Sequence, residues 1–270
     1  MDIQLTLPPD TMKDAICKII HHAPLKAGYW TLTLDAKEIA SVAQPGQFVH
    51  IRIPSLEDTA LRRPFSIFGA TDGKLKLLYK TVGRGTEKLT ALKAGETLSV
   101  IGPLGKGFPL TLKGVPLLVG GGFGVAPLCF LAEKLPRKGT VFIGGRTADD
   151  ILASELLQHM GWSVYVTTQD GTQGETGLVT QPLDREIKQL KFKNLSFDLF
   201  ACGPDGMLKA VGQRAIEHNM KGWLSLDKHM VCGVGACLAC IQKLRKEDGS
   251  EWTGRVCRDG PVFESREIVW

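Results

Sequence analysis

Residues 118–127 read LVGGGFGVAP: an apolar run, three consecutive glycines, a fourth two positions on, and then the start of a helical pattern. A strand that runs through glycines into a helix brings backbone close to a pyrophosphate, whose charge the helix N-terminus stabilises. The spacing is not the common Gly-x-Gly-x-x-Gly, since Gly120, Gly121, Gly122 and Gly124 are followed by Ala126 and Pro127. A tight βα turn without a ligand is the plainer alternative on the glycines alone.

Outward from that turn, strand and helix alternate. VPLLVGG (115–121), TVFIGG (140–145), SVYVTTQ (163–169) and FDLFACG (197–203) read as strands. VAPLCFLAEKL (125–135), ADDILASELLQHM (148–160), a segment near 184–190 and PDGMLKAVGQRAIEHN (204–219) read as helices, with a glycine-rich loop over 170–177. Such alternation predicts a doubly wound parallel α/β sheet. Cys202, Gly203 and Pro204 form a second strand-to-helix turn on the same expected edge, so the two turns can share one ligand.

Before residue 110 the pattern differs. AICKIIH (15–21), YWTLTLD (29–35), QFVHIRI (47–53), KLKLLYK (74–80) and TLSVIG (97–102) are short β-rich segments, with turn residues at 43–46 and 71–73. They predict an antiparallel barrel or sandwich. LRRPFSI (61–67) can place a guanidinium and a hydroxyl along one extended ligand, although surface arginines at a strand end are the commoner explanation. In VGRGTEKL (82–89), Thr86 can cap a short helix with Glu87 in its first turn, which suits a phosphate or simply ends a helix.

After residue 222 the alternation stops. MVCGVGACLAC (230–240) holds three of the seven cysteines, and Cys257 completes a Cys-x4-Cys-x2-Cys-x16-Cys run. Zinc is the generic reading of clustered cysteines. The plant-type [2Fe–2S] spacing and the small residues Gly233, Gly235, Ala236 and Ala239 favour iron and sulfide. Cys17, Cys129 and Cys202 stand alone, and His229 reads as a surface residue. The expected units are a β domain (1–111), an α/β domain (112–221) and a cysteine module (222–270).

Composition sets the outer bounds. With 270 residues, 43% apolar, 23% charged and a formal charge of +5, this is an ordinary globular mix with scattered basic residues, a poor fit to nucleic acid. Residues 1–10 carry two acids and two prolines and no apolar core of a signal peptide. No apolar run approaches a membrane span. A cytoplasmic, reducing location follows as an expectation.

Taken together, RRPFS, VGRGT, GGGFGVAPL, ACGP, CGVGACLAC and VCRDGPVF resemble the ferredoxin reductase superfamily and, within it, the electron-transfer subunits of type B dihydroorotate dehydrogenase. The first four stretches are shared by many flavin reductases, and the last two are specific. The resemblance implies an antiparallel β-barrel that binds FAD, with Arg63 on its pyrophosphate and Pro64, Phe65 and Ser66 lining the isoalloxazine. Leu78, Tyr79 and Lys80 would pass along the flavin, and Gly85 and Thr86 would hold its phosphates. Gly120, Gly121, Gly122 and Gly124, with Cys202, Gly203 and Pro204, would cradle NAD. Cys232, Cys237, Cys240 and Cys257 would ligate a [2Fe–2S] cluster.

Hydride chemistry moves two electrons and an iron–sulfur cluster moves one, so a flavin between them is the needed converter. The implied partner is an FMN-containing dihydroorotate dehydrogenase catalytic subunit, in a heterotetramer with two copies of each chain. Electrons would then pass from dihydroorotate through the cluster and FAD to NAD+, in pyrimidine biosynthesis. NAD rather than NADP rests on the family's habit: Arg146 at the second strand suits a 2′-phosphate, whereas Asp149 and Asp150 oppose it. A subunit of the same build serving a sulfhydrogenase or a bifurcating transhydrogenase is the near alternative, and a zinc module on a flavin-free scaffold the distant one.

Overall fold

The computed structural model describes residues 11–54 and 61–270, so the reading of residues 1–10 lies outside the described residues. The first half is a closed barrel, which decides between barrel and sandwich. Its strands are β1 (Lys13–Lys26), β2 (Tyr29–Asp35), β3 (Phe48–Arg52), β4 (Arg63–Thr71), β5 (Lys74–Lys80) and β6 (Thr97–Leu104). Helices α1 (Lys37–Ala40) and α2 (Arg84–Thr90) sit in the connections. Hydrogen-bonded neighbours run β1-β2-β5-β4-β3-β6, all antiparallel, and β6 closes on β1.

Alternation along each strand builds the barrel interior. Leu32 and Leu34, Val49 and Ile51, Phe65 and Ile67, and Leu75 and Leu77 point inward into one buried core. Each fully buried aliphatic chain there contributes about 1.5–3 kcal/mol. The alternate residues face outward: Phe48 and His50 on β3, Pro64 and Ser66 on β4, Leu78 and Lys80 on β5. Asp72 and Gly73, both at positive φ (52° and 73°), close the β4–β5 hairpin.

The second half is a seven-stranded sheet. Its strands are β7 (Val115–Gly121), β8 (Thr140–Gly145), β9 (Ser163–Thr168), β10 (Glu175–Thr176), β11 (Phe197–Cys202), β12 (Lys221–Ser225) and, late in the chain, β15 (Val262–Glu264). Between β12 and β15 lie β13 (Ile241–Arg245) and β14 (Glu251–Arg255), which pair as a separate hairpin. Helices α3 (Val125–Lys134), α4 (Ser154–His159), α5 (Thr180–Phe192) and α6 (Asp205–Glu217) connect the strands. Spatial order is β10-β9-β8-β7-β11-β12-β15, parallel except for the β12–β15 edge. The order reverses between β7 and β11, and a ligand crevice belongs at that switch.

Helix α3 is apolar nearly all round because it is covered on every side. Val125 to Ala132 are buried, and the helix packs on β4 of the barrel as well as on β7 and β11.

Several expectations change. The helix expected over 148–160 is a 3-10 turn (Ala148–Asp150) followed by the shorter α4, with Ala153 in the left-handed region (φ +57°) between them. Thr147 Oγ1 accepts from the Asp149 N–H (3.2 Å), and Asp150 is held by the barrel, so the chain turns aside before the helix begins. The helix near 184–190 extends over Thr180–Phe192. The loss of alternation expected from 222 comes later: Lys221–Ser225 is a further parallel strand, so the expected 221/222 boundary falls inside β12. A five-residue strand gave too little pattern to separate it from the loop beyond. Among the described residues no helix is long and apolar enough to cross a membrane.

Candidate functional site

At the β7–β11 switch the two expected turns meet. A Cβ on Gly124 would collide with the Cys202 carbonyl and would lie 2.8 Å from Gly203 Cα. One on Gly121 would lie 2.9 Å from Pro204. The glycines are therefore required by the approach of turn to turn. They line a cavity of about 850 Å³, the size of a cofactor site. Gly120 alone among the expected cradle residues faces elsewhere, against Val125. Further walls come from the carboxyl ends of β8, β9, β11 and β12, including Arg146, Gln169 and Asp227, from the starts of α5 and α6, and from Tyr29 and Lys80 of the barrel.

One polar atom in that wall has no partner: Thr167 Oγ1 is buried and unpaired among the described residues. Such a hydroxyl suits a polar ligand. Burial pushes the Cys202 thiol up to about 12, partly offset by a hydrogen bond with Ser225, so the thiol beside the cavity is neutral. Phe123 is half-exposed at the cavity.

The barrel side of the cavity is tied down by Asp150. Its Oδ1 accepts from the Tyr29 hydroxyl (2.7 Å) and from Lys80 Nζ (3.1 Å), while Lys80 lies 4.6 Å above the Tyr29 ring. Burial opposes ionisation of Asp150, yet these bonds, the Arg146 N–H and the Lys80 charge hold it below the usual carboxylate range. Neither Tyr29 nor Thr167 stood out in the sequence. Single polar residues at strand ends carry no periodic signal.

Around β4 the outward residues gather. Pro64 and Ser66 are half-buried and pair across to His50 and Phe48 of β3. Phe65 and Tyr79 differ from expectation, because strand alternation turns both side chains into the barrel, edge to face at 5.6 Å. Only their backbone can run along an outer ligand. Leu78 and Lys80 face the sheet instead. Arg63 abuts the start of α2: a Cβ on Gly85 would lie 3.2 Å from Arg63 Nε. The guanidinium and the helix turn are thus brought together, as a pyrophosphate site needs. Thr86 acts from the third helical position and not as the N-cap, its Oγ1 accepting from the N–H groups of Val82 (2.9 Å) and Gly83 (3.2 Å).

The cysteine loop lies against the other side of the same outer wall. Phe48 shares a core with Cys240, Val256, Cys257 and Phe263. The thiols form two pairs. Cys232 Sγ accepts from the N–H groups of Ala236 (3.3 Å) and Cys237 (3.4 Å), and Cys240 Sγ accepts from the Cys257 N–H (3.4 Å). Burial raises the Cys232 thiol, but the N–H groups of Val234, Cys237 and Ala236 bring it down to about 7. Cys240 is brought to about 6, first by its hydrogen bond from Cys257, whose own thiol is raised in turn. Backbone N–H groups aimed at sulfur favour thiolates.

Among the described residues no three His, Cys, Asp or Glu side chains converge on a single metal point. Two pairs of thiols fit two irons bridged by sulfide better than one tetrahedral ion. Arg255, 3% exposed, donates to Asp259 (3.0 Å) and to the Gly235 carbonyl (3.2 Å), setting a buried cation beside the loop. Cys237 is exposed, and Leu238 next to it sits at φ +59°. His229 is exposed, as expected.

Comparison with known proteins gives concordant matches. Residues 227–269 match the family described as the iron-sulfur cluster binding domain of dihydroorotate dehydrogenase B, and residues 118–213 match the oxidoreductase NAD-binding domain. The chain is 39% identical over 245 residues to the dihydroorotate dehydrogenase B (NAD(+)) electron transfer subunit of Desulforamulus reducens, covering 88% of this chain and 92% of that protein. It is 36% identical to the protein of the same name from a Geobacillus species, covering 96% and 99%. Among solved structures, that of the NADH-dependent reduced ferredoxin-NADP oxidoreductase superposes with a TM-score of 0.81 at 29% identity, covering 95% of this chain and 90% of the other. A ferredoxin reductase of carbazole 1,9a-dioxygenase, at 20% identity and a TM-score of 0.64, shares the fold.

Proposed function

Because the chain belongs to the family of dihydroorotate dehydrogenase B electron transfer subunits, we propose that it carries electrons from a dihydroorotate-oxidising partner to NAD+. The observation that carries this reading is the order of the barrel's outer wall. Strand β4, with Pro64 and Ser66 outward, lies between β3, which the cysteine module covers, and β5, whose Lys80 lines the cavity at the sheet. A group on β4 is therefore flanked by the one-electron side and by the hydride side. A [2Fe–2S] cluster supplies one-electron transfer, and FAD joins it to two-electron chemistry with the nicotinamide.

The chain's own residues bind and orient. Arg63 and the Gly85–Thr86 turn hold the FAD phosphates. Pro64, Ser66 and the backbone at Phe65 and Tyr79 lie along its ring. The glycine turns around Gly121 and Gly124, with Gly203 and Pro204, hold the nicotinamide nucleotide. Cys232, Cys237, Cys240 and Cys257 would together hold the cluster. The loop tip at Ala236–Ala239, exposed throughout, faces an FMN-bearing catalytic subunit in a cytoplasmic complex of two copies of each chain. Residues 1–111, 112–221 and 222–270 divide the labour, although the last unit lends β15 to the sheet of the second.

Co-purification from native extract with a visible spectrum, iron and flavin counts and a dihydroorotate assay tests this. One FAD, about two irons per chain and an FMN partner that reduces NAD+ with dihydroorotate are the expected outcome. The chain alone should not oxidise dihydroorotate. The likeness to the reduced ferredoxin-NADP oxidoreductase supports a second reading, the same cofactors with another partner, and that result would discard the pyrimidine role alone. Zinc without flavin would overturn both. Replacing Cys237 with Ser should abolish transfer from the partner and leave NADH-to-dye activity.

A further inference from the structure

His50 is fully buried, with 0% of its surface exposed, and neither Nδ1 nor Nε2 has a hydrogen-bond partner among the described residues. A neutral imidazole is one donor and one acceptor, and leaving a buried one unpaired costs about 1–3 kcal/mol. A Phe or Leu would fill the space without that cost. An orphaned polar ring in a well-packed wall points to an acceptor in the segment packed over it.

Its position says which segment that is. Along β3, Val49 and Ile51 point into the barrel, so Phe48 and His50 point out. His50 stands directly opposite Pro64 on β4, and its ring meets Phe48 edge-on at 6.4 Å. From the other side Gly233 closes over it: a Cβ there would lie 2.5 Å from His50 Nδ1, and φ at Gly233 is +71°. The residue after Cys232 is thus glycine for two independent reasons, the conformation and the imidazole. The Cys232 backbone lies beside the ring, next to that glycine.

We propose that His50 is a positioning residue of the electron-transfer junction: its N–H donates to the cysteine loop at Cys232, sulfur or carbonyl, and seats the cluster against strand β4. The inference rests on the reading that the four cysteines hold a [2Fe–2S] cluster. It adds a barrel side chain, contributed from the flavin side, to the shell around that cluster. Donors to ligands of this kind orient them and tune the metal, and their loss typically costs 10–100-fold.

The test uses the complete chain loaded with FAD and iron and labelled with 15N-histidine. Pulsed EPR of the dithionite-reduced cluster should show a histidine nitrogen coupling that survives His229→Gln and disappears in His50→Gln. His50→Phe should lower the cluster's reduction potential and slow transfer between cluster and FAD by about 10-fold. His50→Gln, which restores an N–H donor, should recover most of both. Two irons with no histidine coupling, or a coupling that vanishes with His229, overturns the inference and leaves the cluster reading standing. Equal potentials in wild type and His50→Phe also overturn it. A chain without iron overturns the cluster reading and this inference together. The coupling is read in the wild-type protein, so a variant that fails to fold does not remove the test.

Discussion

The Tyr29 hydroxyl donates to Asp150 Oδ1 at 2.7 Å across the junction between the barrel and the sheet. Lys80 Nζ reaches the same oxygen at 3.1 Å, so two barrel strands grip one carboxylate of the α/β unit. Tyr29 is 1% exposed, and removal of its acceptor leaves a buried hydroxyl unpaired. Asp150→Ala should therefore destabilise the protein by about 1–3 kcal/mol, measured by urea unfolding. Asp150 is held below its ordinary range, so its contribution is present above that range and is lost as pH falls through the folded value. Lys80 is held above its ordinary value, although burial alone would lower it, so its contribution is lost as pH rises past that point. The difference between wild type and Asp150→Ala should stay constant between about pH 5 and pH 10 and shrink outside it.

The two glycine turns separate rigid from yielding neighbours. A Cβ on Gly124 meets the backbone of Cys202 and Gly203, which cannot move without shifting β11. A Cβ on Gly121 meets Pro204 at 2.9 Å and the flexible Met207 sulfur at 3.1 Å. Gly124→Ala should abolish NADH binding and lower the unfolding midpoint sharply. Gly121→Ala should fold and weaken NADH by about 10-fold, roughly 1.4 kcal/mol. Equal effects in a titration of NADH against both variants would contradict the packing.

What the sequence revealed followed period and punctuation. The α/β grammar from Val115 onward was legible because long apolar strands alternate with helices at regular spacing. The cysteines were legible because ligand spacing is local. What stayed hidden depends on chain segments far apart. Phe65 was assigned by motif to a flavin face, yet one-residue alternation from Pro64 and Ser66 turns it inward. His50 carries no signal of its own within QFVHIRI, and only the return of Gly233, well over a hundred residues later, encloses it. Asp150 belonged to an expected helix, and its capture by Tyr29 and Lys80 is what stops that helix from forming there. The cysteine module could not be seen to share a sheet with the α/β unit, because β15 is three residues long.

Gly233 and Gly235 both lie at positive φ, +71° and +85°, so any side chain costs about 1–2 kcal/mol at either position. Their neighbours differ. Gly233 faces the enclosed His50 ring, and Gly235 faces the aliphatic part of Arg258, 2.7 Å from where a Cβ would sit. Gly233→Ala should lose most of its iron on purification, and Gly235→Ala should keep the larger share. Combining Gly233→Ala with His50→Ala should recover iron relative to Gly233→Ala alone, because the ring that blocks the new methyl is gone. Iron per chain, measured against FAD per chain, decides it; no recovery in the double variant would place the damage in the backbone conformation.

Arg255 and Asp259 form an enclosed ion pair beside the cysteine loop, with side chains 4% and 17% exposed. The guanidinium also fixes the Gly235 carbonyl, so one cation closes β14 onto the loop that carries the thiols. Breaking such a pair strands a buried charge, and Arg255→Ala should cost about 3–5 kcal/mol. Asp259→Asn leaves the cation and a partial acceptor and should cost less. Burial disfavours the charged Asp259, but Arg255 outweighs it and holds the carboxylate below its usual range. That stabilisation is present above the ordinary carboxylate value and fades as pH falls through the lower, folded value. Urea unfolding of Asp259→Asn and wild type from neutral pH downward should therefore show two curves that converge in acid. Curves that stay parallel to the lowest pH would mean that the pair adds nothing beyond its packing.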